Sequence, residues 1–113
     1  MTVSTQRKSP RPTEYLERVI SAAKSVDMSQ VEALADSILD AYRRGRFVFV
    51  IGNGGSGANA SHLCEDLGKS TLSNPESQKR LKILSLTDNT PYIMAWANDV
   101  GYDSIFVEQL KNL

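Results

Sequence analysis

Residues 47–57 decide the fold of this chain and read FVFVIGNGGSG. The first five are β-branched or aromatic, which predicts a strand buried on both faces, as in a parallel sheet covered by helices. The glycines that follow allow main-chain conformations with positive φ and let a ligand approach the backbone. A helix beginning after this turn directs its first N–H groups back at the loop, where they can bind an anion. The stretch therefore predicts a strand, a turn and a helix that hold a phosphorylated ligand.

The elements predicted on either side of this stretch have the order of an α/β domain. Two helices precede the strand: the first begins near Thr13, and a capping-box pattern at Ser29 and Glu32 opens the second, which Gly45 ends. The later predicted elements are a helix over about 57–69, a surface loop over 70–80, a strand over 81–86, a helix from Thr90 and a last helix after Gly101. This order predicts a parallel sheet with flanking helices. Because two strands are few for such a sheet, we expect one half of a larger domain.

Composition limits the classes of protein to consider. The length of 113 residues predicts one domain, with residues 1–12 as a flexible leader and 13–113 as the folded part. Thirteen basic residues balance thirteen acidic ones, so no overall charge attracts nucleic acid or an anionic membrane. No apolar run is long enough to cross a bilayer. Cys64 is the only cysteine, which favours a reducing cytoplasm.

The glycines also fit the dinucleotide-binding pattern, because Gly52, Gly54 and Gly57 satisfy G-x-G-x-x-G. That pattern expects an acidic residue about 20 positions later, at the end of the next strand. Glu76 precedes the second predicted strand and Asp88 comes too late, so a nicotinamide-dependent oxidoreductase is the weakest of our interpretations. The side chains of Asn53 and Ser56, beside exposed backbone N–H groups, favour a sugar phosphate instead.

The one histidine of the chain, His62, lies on the helix that follows the glycine turn. Asp66 is four residues further on and shares its face, so the pair could reach one metal ion or one substrate, or serve acid–base chemistry. Spacing alone favours an exposed ion pair of little energetic value. The position one turn beyond the glycine loop favours a functional role. Glu65 is expected on a different face of the helix.

Two further polar pairs follow the second predicted strand. Asp88-Asn89 comes directly after it, at the carboxyl edge where open α/β sheets bind ligands, and Asn98-Asp99 comes one short helix later. Both pairs could bind sugar hydroxyls. As the alternative, Asp88 starts a turn and Asn98-Asp99 ends a helix.

Three blocks together resemble the amino-terminal half of the phosphoheptose isomerases of the sugar isomerase (SIS) domain family. These blocks are residues 52–56 (GNGGS), His62 with an acid four residues on, and residues 87–89 (TDN) followed by 97–102 (ANDVGY). The resemblance implies a three-layer, flavodoxin-like parallel sheet with flanking helices. It further implies a cytoplasmic homotetramer, often with zinc, that interconverts sedoheptulose 7-phosphate and glycero-manno-heptose 7-phosphate. Heptose and heptulose phosphates would be its ligands.

The same resemblance implies roles for individual residues. The substrate-binding residues would be Asn53, Gly54, Gly55, Ser56, Asn98 and Asp99. His62 and Asp66 would ligate zinc and carry the catalysis, with Asp66 moving the proton. The family usually has glutamate at this position, one methylene longer than Asp66. The shorter side chain favours the alternative, a non-catalytic SIS module that binds a phosphosugar or docks a partner protein.

Overall fold

A computed structural model describes residues 9–113, so the first eight residues of the predicted leader lie outside the described part of the chain. The helices and strands are α1 (Pro12–Lys24), α2 (Met28–Arg44), β1 (Phe47–Val50), α3 (Gly55–Glu65), β2 (Lys82–Ser85), α4 (Thr90–Asp99) and α5 (Val107–Leu110). A π-helical turn over Asp66–Ser70 continues α3, and a 3-10 turn over Tyr102–Ser104 precedes α5. The predicted order is confirmed, although α3 begins two residues before the predicted Gly57.

The chain divides into two compact units, one ending at Leu34 and the other spanning Ala35–Leu113. The first unit contains α1 and the beginning of α2. Glu14 accepts a hydrogen bond from the Arg11 N–H at 3.1 Å, at the start of α1. The predicted apolar face of α1 is exposed, including Leu16, Val19 and Ile20.

The start of α2 differs from the prediction that Ser29 and Glu32 form a capping box. Asp27 caps the helix: its Oδ1 accepts the Ser29 N–H at 3.0 Å and the Ser29 hydroxyl at 2.6 Å. A carboxylate one residue before the helix reaches the N–H of the second helical residue, which is the usual capping geometry. The hydrogen bonds from Ser29 lower the pKa of Asp27. The predicted stop at Gly45 is confirmed, with φ +66° there and an Arg46 N–H to Ala41 C=O bond of 2.9 Å.

The sheet is parallel as predicted, with Phe47 opposite Lys82 and Val50 opposite Ser85. The prediction that β1 is buried on both faces is wrong for this chain: Phe47 is 52% exposed and the rest of β1 is half-buried. The reason is that the described sheet has only two strands. The π-helical turn packs on the face that carries Ile83, and the stacked rings of Phe47 and Phe49 occupy the opposite face.

Long-range contacts of the second unit hold the chain at both ends of the two strands. Gln109 is buried, and its side-chain amide donates to the Leu86 carbonyl at 3.0 Å and the Ile105 carbonyl at 2.8 Å. The Lys79 ammonium donates to the Arg43 carbonyl at 2.8 Å, which ties the loop before β2 to the end of α2. No helix in the described residues 9–113 is both long and apolar enough to span a bilayer.

Candidate functional site

The loop between β1 and α3 is a tight turn that only glycine permits at two positions. Gly54 has φ +57°, a conformation that side chains with a Cβ rarely adopt. At Gly52 the constraint is space, because an added Cβ would lie 2.3 Å from the Ser56 carbonyl oxygen and 2.7 Å from the Gly57 nitrogen. The predicted strand, turn and helix are therefore confirmed, with the loop folded closely over the first turn of α3.

Four of the predicted substrate-binding residues lie together at the start of α3. Asn53, Gly54, Gly55 and Ser56 are all exposed. The Ser56 N–H donates to the Asn53 carbonyl at 3.1 Å, and the Ala58 N–H donates to the Gly54 carbonyl at 3.0 Å. The first N–H groups of an 11-residue helix carry a partial positive charge and are directed at this loop. The arrangement suits an anionic group such as a phosphate.

Thr87, which follows β2 by two residues, contacts the glycine loop directly. Its hydroxyl accepts the Gly52 N–H at 3.2 Å and donates to the Gly52 carbonyl at 3.0 Å. Sequence reasoning included this residue only as part of a motif and gave it no role. The available signal was its position, because the carboxyl ends of neighbouring parallel strands lie at the same edge of a sheet.

The next two residues have structural partners. Asp88 accepts a hydrogen bond from the Ser61 hydroxyl, which also donates to the Gly57 carbonyl at 3.1 Å. Asn89 caps α4 by accepting the Tyr92 N–H at 3.2 Å. Asp88 thus ends the turn after β2, where its N–H meets the Ser85 carbonyl at 3.5 Å, and the binding of sugar hydroxyls by Asp88 and Asn89 stays a prediction.

The predicted pairing of His62 with Asp66 is present, with 3.3 Å between Nε2 of His62 and Oδ2 of Asp66. Both side chains reach solvent, at 75% and 50% exposure, so a ligand can approach them. The prediction that Glu65 faces elsewhere is wrong: one ligand atom each from His62, Glu65 and Asp66 lie within 4.8 Å of one another. Residues three and four positions after a helical residue both flank it, which brings Glu65 close. A nitrogen and two carboxylates suit a divalent metal ion.

Asp66 is the first residue of the π-helical turn that ends α3. Its backbone N–H is shared between the carbonyls of His62 and Leu63. Such turns inside helices are rare and are frequent at functional sites. The change in helical geometry therefore coincides with the carboxylate that sequence reasoning selected.

Asn98 and Asp99 lie at the end of α4, where the Asn98 amide donates to the Asp99 carboxylate at 2.8 Å. Their side chains make no hydrogen bond to the glycine loop in the part of the chain that the structure describes. Their role as substrate-binding residues stays a prediction that rests on the resemblance.

Cys64 lies on α3 and is half-buried; burial raises the pKa of its thiol, with a smaller contribution from the negative charge of Asp88. A raised pKa leaves less thiolate at a given pH, so we expect alkylation by iodoacetamide to shift to higher pH than for the same cysteine in urea. Asp88→Asn should move the profile part of the way back. A midpoint in the folded protein at or below that in urea would contradict this assignment.

Comparison with known proteins finds a matching family model and relatives that share one name. Residues 13–112 match the family model of the SIS domain. The chain is 31% identical over 98 residues to the phosphoheptose isomerase of Geotalea uraniireducens, covering 86% of this chain and 50% of that one. It is 33% identical over 106 residues to the phosphoheptose isomerase of a Synechocystis species, covering 89% and 53%.

Comparison of structures finds a protein of the same name. The phosphoheptose isomerase of Neisseria gonorrhoeae is similar with a TM-score of 0.71 and 27% identity, over 89% of this chain and 50% of that one. The chain spans about half the length of the relatives it matches.

Proposed function

This chain belongs to the SIS domain family, and on that premise we propose that it forms the phosphosugar-binding half of a phosphoheptose isomerase. The reaction would interconvert sedoheptulose 7-phosphate and glycero-manno-heptose 7-phosphate. One observation carries the proposal: the helix that begins at the glycine loop also carries the His62–Asp66 pair, at 3.3 Å. A phosphate held at the start of α3 would leave the sugar chain to extend along this helix.

Binding of the phosphate is assigned to the loop and the first turn of α3. The N–H groups there provide donors, and the side chains of Asn53 and Ser56 provide an amide and a hydroxyl beside them. Asn98 and Asp99 are assigned to the sugar hydroxyls by the family resemblance. Together, the loop and these two residues would orient the sugar and hold its carbonyl end near the carboxylate of Asp66.

Isomerisation requires a proton to move between two neighbouring carbon atoms. In the proposed reaction Asp66 removes a proton from the carbon beside the carbonyl, and the C–H electrons form the double bond of an enediol as the carbonyl oxygen gains a proton. Return of a proton to the former carbonyl carbon, and loss of one from the hydroxyl on the carbon that Asp66 deprotonated, complete the exchange and leave the new carbonyl there. His62 would either hold the metal or give and take the hydroxyl proton.

Zinc is part of the proposal, with His62 and Asp66 as ligands and Glu65 within reach. The donor set fits, because zinc takes imidazole nitrogen and carboxylate oxygen, and these atoms lie within 4.8 Å of one another. When bound, zinc would polarise the carbonyl oxygen of the sugar. Asp66 has two oxygens, so one can face the metal while the other accepts the proton.

We further propose that the complete protein is a cytoplasmic homotetramer. Support for assembly comes from α1, whose apolar residues Leu16, Val19 and Ile20 are exposed in the single chain. The assignment to the cytoplasm rests on the family resemblance.

The experiment is turnover of sedoheptulose 7-phosphate by the complete gene product, followed by NMR before chelation, after chelation and after zinc is added back. We expect turnover that chelation abolishes and zinc restores. Because loss of an outer-shell partner costs about 10- to 100-fold in metal affinity, His62→Ala should weaken zinc binding by at least about 100-fold. Lys111→Ala, which removes an ion pair with Glu108 on α5, is the matched control and should bind zinc normally.

Two outcomes would replace this proposal. Absence of turnover with retained binding of the phosphosugar would favour the non-catalytic SIS module, which the shorter Asp66 already supports. Tight binding of NAD at the glycine loop would favour the dinucleotide interpretation.

A further inference from the structure

Thr87 contacts both ends of the glycine loop with one short side chain. Its hydroxyl satisfies the N–H and the carbonyl of Gly52, at 3.2 and 3.0 Å. Its methyl group lies against Gly57, which is buried: a Cβ added there would be 2.6 Å from Cγ2 of Thr87. The side chain therefore spans the turn between the end of β1 and the first turn of α3.

The backbone of Thr87 is itself held in place. The Thr87 N–H donates to the hydroxyl of Ser85, the last residue of β2, at 3.2 Å, and Ser85 is 3% exposed. Thr87 thus connects the buried end of β2 to a loop that is rich in glycine. Glycine loses more conformational freedom on ordering than any other residue, so such a loop needs external contacts to keep one conformation.

We propose that Thr87 is a positioning residue that presets the loop of residues 52–57 for the phosphosugar, without touching the ligand. This inference rests on the proposed function, because it assigns the loop to phosphate binding. A loop that is already ordered loses less entropy when the ligand binds, and the ligand then binds more tightly. The hydroxyl is the essential part, because it alone pairs with both polar groups of Gly52.

A second contact beside Thr87 allows the order of the glycine loop to be tested separately from the stability of α3. Asp88 accepts the hydrogen bond of Ser61, which lies on α3. Removal of the Thr87 hydroxyl therefore leaves α3 attached to the end of β2, and the expected change is confined to the loop.

The test compares Thr87→Val, which keeps the shape and loses the hydroxyl, with Thr87→Ser, which keeps the hydroxyl. The two readouts are the affinity of the complete protein for sedoheptulose 7-phosphate and amide hydrogen exchange at Gly52 in the ligand-free protein. Since an unsatisfied backbone pair is costly, Thr87→Val should weaken binding on the order of tenfold or more, with faster exchange at Gly52 and unchanged exchange in β1 and β2. Thr87→Ser should stay within about twofold of the original protein, because it retains both hydrogen bonds.

Thr71→Val is the matched control, because the Thr71 hydroxyl donates to the Leu67 carbonyl at 2.8 Å, outside the loop. It should change neither readout. Equal losses in Thr87→Ser and Thr87→Val, or normal affinity in Thr87→Val, would overturn the proposal. If Thr87→Val does not fold, Thr87→Ser decides alone: a loss of tenfold would overturn the role of the hydroxyl, and normal affinity would support it.

The two readouts also separate this inference from the proposed function. If the original protein does not bind the sugar phosphate, the proposed function fails, and exchange at Gly52 still tests whether Thr87 orders the loop. Faster exchange in Thr87→Val alone supports that role, and unchanged exchange overturns it.

Discussion

Asp66→Asn is expected to reduce turnover of sedoheptulose 7-phosphate by about 10²- to 10⁴-fold, the usual contribution of a general acid–base group. The amide has nearly the shape of the carboxylate but cannot accept the proton from carbon. Because 50% of the Asp66 side chain is exposed, the substitution leaves no buried group without a partner, and the fold should be unchanged. The measurement is kcat and KM in the complete protein with zinc present, and the loss should appear in kcat.

Two neighbouring substitutions serve as controls for this prediction. Glu65→Gln removes the adjacent carboxylate, which pairs with Lys69 at 3.4 Å, and should reduce kcat by less than about tenfold. Asp66→Glu lengthens the side chain by one methylene to the residue that the family usually has, and should retain turnover. If Glu65→Gln abolished turnover and Asp66→Asn did not, the base would be Glu65.

Gly52→Ala is expected to abolish phosphosugar binding and to destabilise the fold. The new Cβ would meet only backbone atoms, at 2.3 Å from the Ser56 oxygen, 2.4 Å from the Ser56 carbonyl carbon and 2.7 Å from the Gly57 nitrogen. Side chains can rotate away from such contacts, but the first turn of α3 cannot, so the loop must move as a whole. Overpacking of this kind costs about 1–3 kcal/mol or more. Calorimetric affinity for sedoheptulose 7-phosphate and the midpoint of urea unfolding measure the two effects.

Gly68→Ala is the matched control, because its Cβ would meet only Cγ2 of Ile83, at an ordinary 3.5 Å. We expect its affinity for the phosphosugar to stay within about twofold and its stability to change by less than about 1 kcal/mol. Normal binding by Gly52→Ala would mean that the loop does not hold the ligand.

Local patterns in the sequence predicted the elements and the principal site pair. The apolar run and the glycines predicted β1, the turn and α3, and the spacing of four predicted the contact between His62 and Asp66. Each of these depends on residues that are neighbours in the chain. Two local predictions were wrong because a neighbouring residue takes the role: Asp27 caps α2 in place of Ser29, and Glu65, three residues from His62, lies with His62 and Asp66 in a cluster that could hold a metal ion.

The sequence by itself determined the order of helices and strands, the need for glycine in the loop and the polar face of α3, because backbone sterics and helical spacing act over a few residues. Only the tertiary structure decided which side chains hold that loop and helix in place. Thr87 and Gly52 are 35 residues apart in the chain, and Asp88 and Ser61 are 27 apart. Parallel pairing of β1 with β2 brings the ends of both strands to one edge of the sheet, and the contacts that order the candidate site form there.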